Sequence, residues 1–168
     1  MLIRMISGIS KWDGSKIINR KDSYICGDAI SDLRTTDNKL SVWKADNQED
    51  INDAIVALAL NRDSVSKISY FLLKEEDLDK MEICISDKQA GVAAGLDSLI
   101  LTKHRDLTDL DYWRLGYLSE HLIELAKDES NRKNCSAREV KELLERYKNE
   151  NKIIPEQVKE KLRKKLNW

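Results

Sequence analysis

Between Lys39 and Leu73 the hydrophobic pattern changes period twice, and this restricts the fold more than any other feature of the chain. In Lys39 to Ala45, Leu40 and Val42 alternate with Ser41, Trp43 and Ala45, the period of two that puts successive side chains on opposite faces of a strand. Both sets carry apolar residues, so this strand is expected to be covered on both sides. From about Gln48 to Asn61, Ile51, Ala54, Ile55, Leu58 and Ala59 fall at helical spacing, and Val56 and Leu60 widen the stripe. Asp46 or Asn47 can cap this helix, and Glu49, Asp50 and Asp53 suit the positive end of its dipole. Period two returns at Lys67 to Leu73, and Met81 to Ser86 offers a shorter strand behind the acidic turn Glu75 to Asp79. Strand, helix and strand within about 35 residues predict a βαβ unit in a small mixed sheet. The fold class that follows is α/β, with α+β as the alternative.

The flanking segments are read in the same way. Ala29 to Arg34 and Lys39 to Ala45 surround Thr35-Thr36-Asp37-Asn38, whose Asp-Asn pair suits a tight turn, which predicts a β-hairpin. Between Ala90 and Thr102, Gly91 and Gly95 interrupt an apolar stretch that reads as either a loop or a short buried helix. Thr108 is expected to cap a helix over 109–127, in which Leu110, Trp113, Tyr117, Leu118, His121, Leu122 and Leu125 form one stripe. After a polar break, Ser136 and Glu139 have the spacing of a capping box before a helix bearing Val140, Leu143, Leu144 and Tyr147. Ile154-Pro155 opens a last helix with Val158, Leu162 and Leu166 on its stripe.

Charge divides the chain where the pattern does. Residues 129–168 hold 12 Lys or Arg against 7 Asp or Glu, whereas residues 1–128 hold 17 against 23, although the whole chain carries a net charge of only −1. The expected organisation is an acidic α/β body over 1–128 and a basic helical hairpin over 129–168 that packs on it. The longest apolar run, Ala54 to Leu60, is far short of a membrane span, which needs roughly 20 residues. The start of the chain, interrupted by Arg4, lacks a small-residue cleavage site. Cys26, Cys84 and Cys135 are odd in number and far apart, so reduced thiols in a cytoplasm are expected. No phosphate loop, zinc-spaced cluster or nucleophile elbow is present in the sequence, and neither cofactor nor metal is expected.

Two constellations suggest chemistry. Arg114 and His121, seven residues apart, fall on one helix face, where a histidine can move protons and an arginine can steady a phosphate. This R-x6-H pair resembles the signature of the HEPN ribonuclease family, and the resemblance implies metal-independent RNA cleavage with Arg114 and His121 as catalytic residues. That family is all-helical, whereas the first half of this chain reads as strand-rich. Asp28 or Asp32, followed by Asp37-Asn38-Lys39, imitates the carboxylates and lysine of a Mg²⁺ nuclease, but a turn selects Asp37 and Asn38 for backbone reasons.

The leading expectation is a non-enzymatic regulatory subunit of bacterial type, comparable to an antitoxin, immunity or defence-accessory protein. It would bind another protein through its C-terminal helices, with Arg138, Lys141, Arg146, Lys159, Arg163, Lys164, Lys165 and Trp168 as contact residues. Trp12, outside the predicted core elements, is a further candidate contact. The same basic helices could instead meet nucleic acid, and self-association is open. Against nucleic acid, Glu139, Glu142, Glu145, Glu156 and Glu160 are interleaved among the cations, as in a solvated hairpin laced by ion pairs.

Overall fold

The period-two segments become neighbours in one sheet, although not the neighbours that their order suggests. The computed structural model describes residues 1–13, 26–87 and 93–168. Strands β1 (Leu2–Ile6), β2 (Leu40–Lys44), β3 (Ile68–Leu73), β4 (Cys84–Ser86), β5 (His104–Thr108) and β6 (Lys133–Cys135) lie in the order β4-β5-β2-β1-β3-β6. The α/β character holds. Every strand pairing is antiparallel, however, so the sheet is not mixed. β2 and β3 do run parallel to each other across helix α2 (Gln48–Leu60), but β1 lies between them and pairs with both. The strand-helix-strand unit therefore straddles a strand contributed from far upstream.

Alternation along the strands feeds two cores, one on each face. Ile3, Trp43, Ala45, Ile68 and Tyr70 join a cluster covered by α2, α4 (Ser98–Leu101), α6 (Ala137–Asn149) and α7 (Glu160–Leu166). Leu2, Ile6, Leu40, Val42, Phe71, Leu73 and Leu107 join the other, covered by α1 (Ile9–Trp12), α3 (Glu75–Lys80) and α5 (Tyr112–Lys127). The double covering expected for β2 is thus present. The Asn47 side chain accepts from the Asp50 amide at 3.0 Å to cap α2. The capping box of α6 is complete, with Ser136 and Glu139 each accepting from the other's amide.

Several local expectations are corrected. The Asp37-Asn38 turn forms, with φ of 51° and 57°, a backbone state that Asp and Asn tolerate better than most residues. Its upstream limb is a 3-10 helix, Gly27–Leu33, instead of a strand, and Ala29, Asp32 and Leu33 are its buried residues. The acidic turn at 75–79 is helix α3, in which Leu78 is buried. The long helix is capped by Asp111, which accepts from the Arg114 amide at 2.8 Å, and Thr108 ends β5. Of the stretch between Ala90 and Thr102, residues 90–92 lie outside the described residues, and Ser98–Leu101 is the short helix α4. Pro155 opens only a 3-10 turn, Pro155–Gln157, before α7. There Gly95, at φ 81°, accepts at its carbonyl from the Ile154 amide, and a Cβ on it would stand 2.6 Å from the Ile154 oxygen. No helix of the described residues is long and apolar enough to cross a membrane.

Candidate functional site

The surface feature that the core leaves unexplained lies on α5. An α-helix advances about 100° per residue, so Trp113, five positions before Leu118, points roughly 140° away from it. Leu118, Leu122 and Ala126 bury one side of α5 in the core, while Trp113 is 71% exposed, Tyr112 83% and Tyr117 53%. The helical spacing that groups Trp113 and Tyr117 with Leu118 therefore misassigns them, since α5 has apolar residues on both sides. The Tyr112 and Trp113 rings meet edge to face at 5.7 Å, and Ile30 of the 3-10 helix lies exposed beside them.

Trp113 and Tyr117 form a ridge between two grooves. One groove, of about 550 Å³, is apolar and is lined by Ile30, Leu33, Tyr112, Leu115 and Gly116, with Glu120 at its margin. The other, of about 450 Å³, is polar and is lined by Lys80, Glu82, Asp111 and Arg114. Gly116 is one of the residues that line the apolar groove, and it is exposed. A Cβ placed there would meet nothing within 4 Å, so no contact inside the chain requires a glycine. Glycine in mid-helix costs about 0.5–1 kcal/mol relative to alanine. Clustered exposed apolar surface of this kind is typical of interaction sites.

Arg114 and His121 share the flank of α5 that faces α3 and the turn after it. Arg114 Nε donates to the Glu82 carbonyl at 2.9 Å, and Nη1 to Asp111 at 2.6 Å; the Glu82 carboxylate is 3.6 Å from Nη2. His121 Nε2 is 3.9 Å from Asp77 but is sealed from solvent and has no hydrogen-bond partner among the described residues. Burial holds the His121 imidazole below its ordinary pKa, an effect that Asp77 opposes and Lys80 reinforces. Arg114 lines the polar groove, and His121 is not among the residues lining either groove. A shared phosphate would need both groups free, and in this arrangement the arginine is engaged while the imidazole nitrogen is covered.

The carboxylates of the nuclease-like pattern are dispersed. Asp28 is exposed, Asp37 sits in its turn, and Asp32 is buried as a structural acceptor. Its carboxylate receives the Ser7 amide at 2.9 Å, the Ser7 hydroxyl at 3.1 Å and Trp12 Nε1 at 2.9 Å. Trp12 is accordingly a core residue, 1% exposed, and not a contact residue. No group of three or more metal-ligating side chains occurs among the described residues.

The basic C-terminal helices spend much of their charge inside the molecule. Arg146 and Lys152 pair with Glu49 of α2 at 3.0 and 3.3 Å, and Lys159 and Lys161 pair with Asp63 just beyond it. Arg138 meets Glu142, and Lys164 meets Glu160, within their own helices. Lys141, Arg163 and Lys165 have no ion-pair partner among the described residues. Trp168 folds back, donating from Nε1 to Glu145 at 2.8 Å beneath the Lys148 ammonium. Beneath these pairs the buried Tyr147 hydroxyl donates to Asp53 at 2.6 Å, and Lys103 bridges Asp53 and Asp50. Burial, with Asp53 and Glu49 beside it, pushes the Tyr147 phenol well above its usual range.

The chain matches no protein-family model, and no curated protein or solved structure matches it. Its functional reading therefore rests on these surfaces. Sequence inspection placed Trp113 and Tyr117 on the correct helix and on the wrong side of it. The one signal that could have separated them from the core stripe was Gly116, a poor helix former set between them.

Proposed function

We propose that the chain is a non-enzymatic protein-interaction subunit of the cytoplasm, and that it holds a partner protein on the aromatic face of α5 instead of through its C-terminal helices. The observation that carries this reading is the exposure of Trp113, at 71%, on a ridge it shares with Tyr117 between two grooves. Tryptophan and tyrosine supply large contact area at small entropic cost and are enriched among the residues that dominate binding energy. The C-terminal helices serve as scaffold in this reading, since their apolar residues belong to the core and most of their paired cations face Glu49, Asp63 or glutamates of their own helices. The three free cysteines suit a reducing compartment.

The test compares the tagged wild-type chain with the Trp113→Ala/Tyr117→Ala double variant in pull-downs from native lysate, with circular dichroism to confirm that both are folded. A stoichiometric protein retained by the wild type and lost at least tenfold by the variant is expected, because hot-spot truncations cost about 2 kcal/mol or more. Undiminished capture by the folded variant would remove α5 from the reading.

A further inference from the structure

We infer that the segment held on α5 is a cationic amphipathic helix of the partner protein, with arginine over the Trp113–Tyr117 ridge. This deepens the interaction reading above and depends on the same face. The inference starts from charge. Glu82, Asp111 and Glu120 line the two grooves against Lys80 and Arg114, three carboxylates to two cations; Lys80 is held by Asp77 from outside the lining, and Arg114 is shared between Asp111 and Glu82. Glu120 has no ion-pair partner among the described residues, and the Glu82 side chain is 83% exposed. The rim is therefore negative, on a body that is itself acidic.

A second copy of this chain docked through the same face would set that rim against itself, and nucleic acid would meet it with phosphate charge. A guanidinium fits it on two counts, because its plane stacks on tryptophan and tyrosine rings while its fork reaches carboxylates. Glu82 and Asp111 lie to one side of the ridge and Glu120 to the other, so an arginine on the ridge has a carboxylate within its neighbourhood in either direction.

The apolar groove specifies the rest of the occupant. Its lining of Ile30, Leu33, Tyr112 and Leu115 takes aliphatic side chains, and a helix presents these in a row at spacings of three and four. Gly116 then acquires a role that nothing within the chain gives it. A bare backbone in the groove lining lets the partner's side chains approach α5 closely, at a place where an added side chain would enter open space beside the groove.

The experiment titrates the full chain by calorimetry with synthetic amphipathic peptides of about four helical turns, identical in their leucine face and flanked by arginine, lysine or glutamate. The arginine peptide is expected to bind at least about tenfold tighter than the glutamate peptide, with affinity that falls as salt rises. Glu82→Gln/Glu120→Gln should weaken the arginine peptide several-fold and flatten its salt dependence. Gly116→Ala should raise the melting temperature, and Gly116→Leu should abolish peptide binding in a folded protein. Equal affinity for arginine and glutamate peptides, both lost in Trp113→Ala, would overturn the cationic assignment and leave the docking face standing. Undiminished binding by Gly116→Leu, or no binding of any peptide, would also overturn the inference, and the pull-down comparison would then judge the docking face on its own.

Discussion

Replacing Tyr147 by phenylalanine removes one oxygen from the joint between α6 and α2, and the structure sets the size of the effect. The hydroxyl donates to Asp53 Oδ1 at 2.6 Å, inside the core, and lies 3.2 Å from the half-exposed Glu49. A hydrogen bond to a charged group contributes about 1.5–3 kcal/mol net. Asp53 keeps Lys103 at 2.5 Å, so the carboxylate is not stranded and the loss should lie near the middle of that range, about 2 kcal/mol. For a chain of this size that is a fall in melting temperature of about 4–8 °C. The assay is urea unfolding at neutral pH, extended to a double-mutant cycle with Asp53→Ala, where a coupling of about 1–2 kcal/mol is expected. A Tyr147→Phe variant within about 0.5 kcal/mol of the wild type would refute the reasoning, because the bond would then contribute no more than an ordinary surface contact.

Two further predictions concern charge. Burial holds His104 and His121 below the ordinary value of 6.5, so the unfolded chain takes up protons more readily than the folded one. Their contribution to stability is complete above the unfolded value and is lost as pH falls from about 6.5 through the folded values; His121→Gln should flatten that slope between about pH 7 and 5, and an unchanged slope would count against the burial of His121 as its cause. Lys152→Glu should destabilise by about 1 kcal/mol or more, since it would face Glu49 and Glu150, whereas Arg163→Glu and Lys165→Glu should change stability by less than about 0.5 kcal/mol in denaturant melts. Equal effects at all three positions would mean that the pairs on Glu49 do not distinguish Lys152 from an unpaired surface cation.

What the sequence made legible follows from how each element meets its surroundings. α2 is apolar around most of its circumference and has Asn47 at its head, and α6 carries a reciprocal cap, so local chemistry alone specified both. β5 escaped notice because His104 and Asp106 are buried on one face of it with only Leu107 on the other, a pattern that does not read as a strand. β1 escaped because four of its five residues, Leu2, Ile3, Met5 and Ile6, are apolar and hide the alternation, and its pairing partners lie about 40 residues or more along the chain. The tryptophans were misread for a different reason. Trp12 lies outside any long periodic segment, yet Asp32 gives its indole a buried partner, while Trp113 lies within one and faces outward. A periodic stripe identifies a helix face only when the opposite face is polar, and on α5 it is not.

The sheet that separates the two cores also separates two kinds of surface. α5 belongs to the core on one side, and α6, α7 and the Trp168 ring belong to the core on the other. Anything attached after Trp168, whether an affinity handle, a fluorophore or a sensor surface, consequently leaves the molecule behind the sheet from Trp113. Immobilising the chain through that side presents the aromatic ridge to solution, and the two sides can be redesigned separately, one for what it holds and the other for how it is carried.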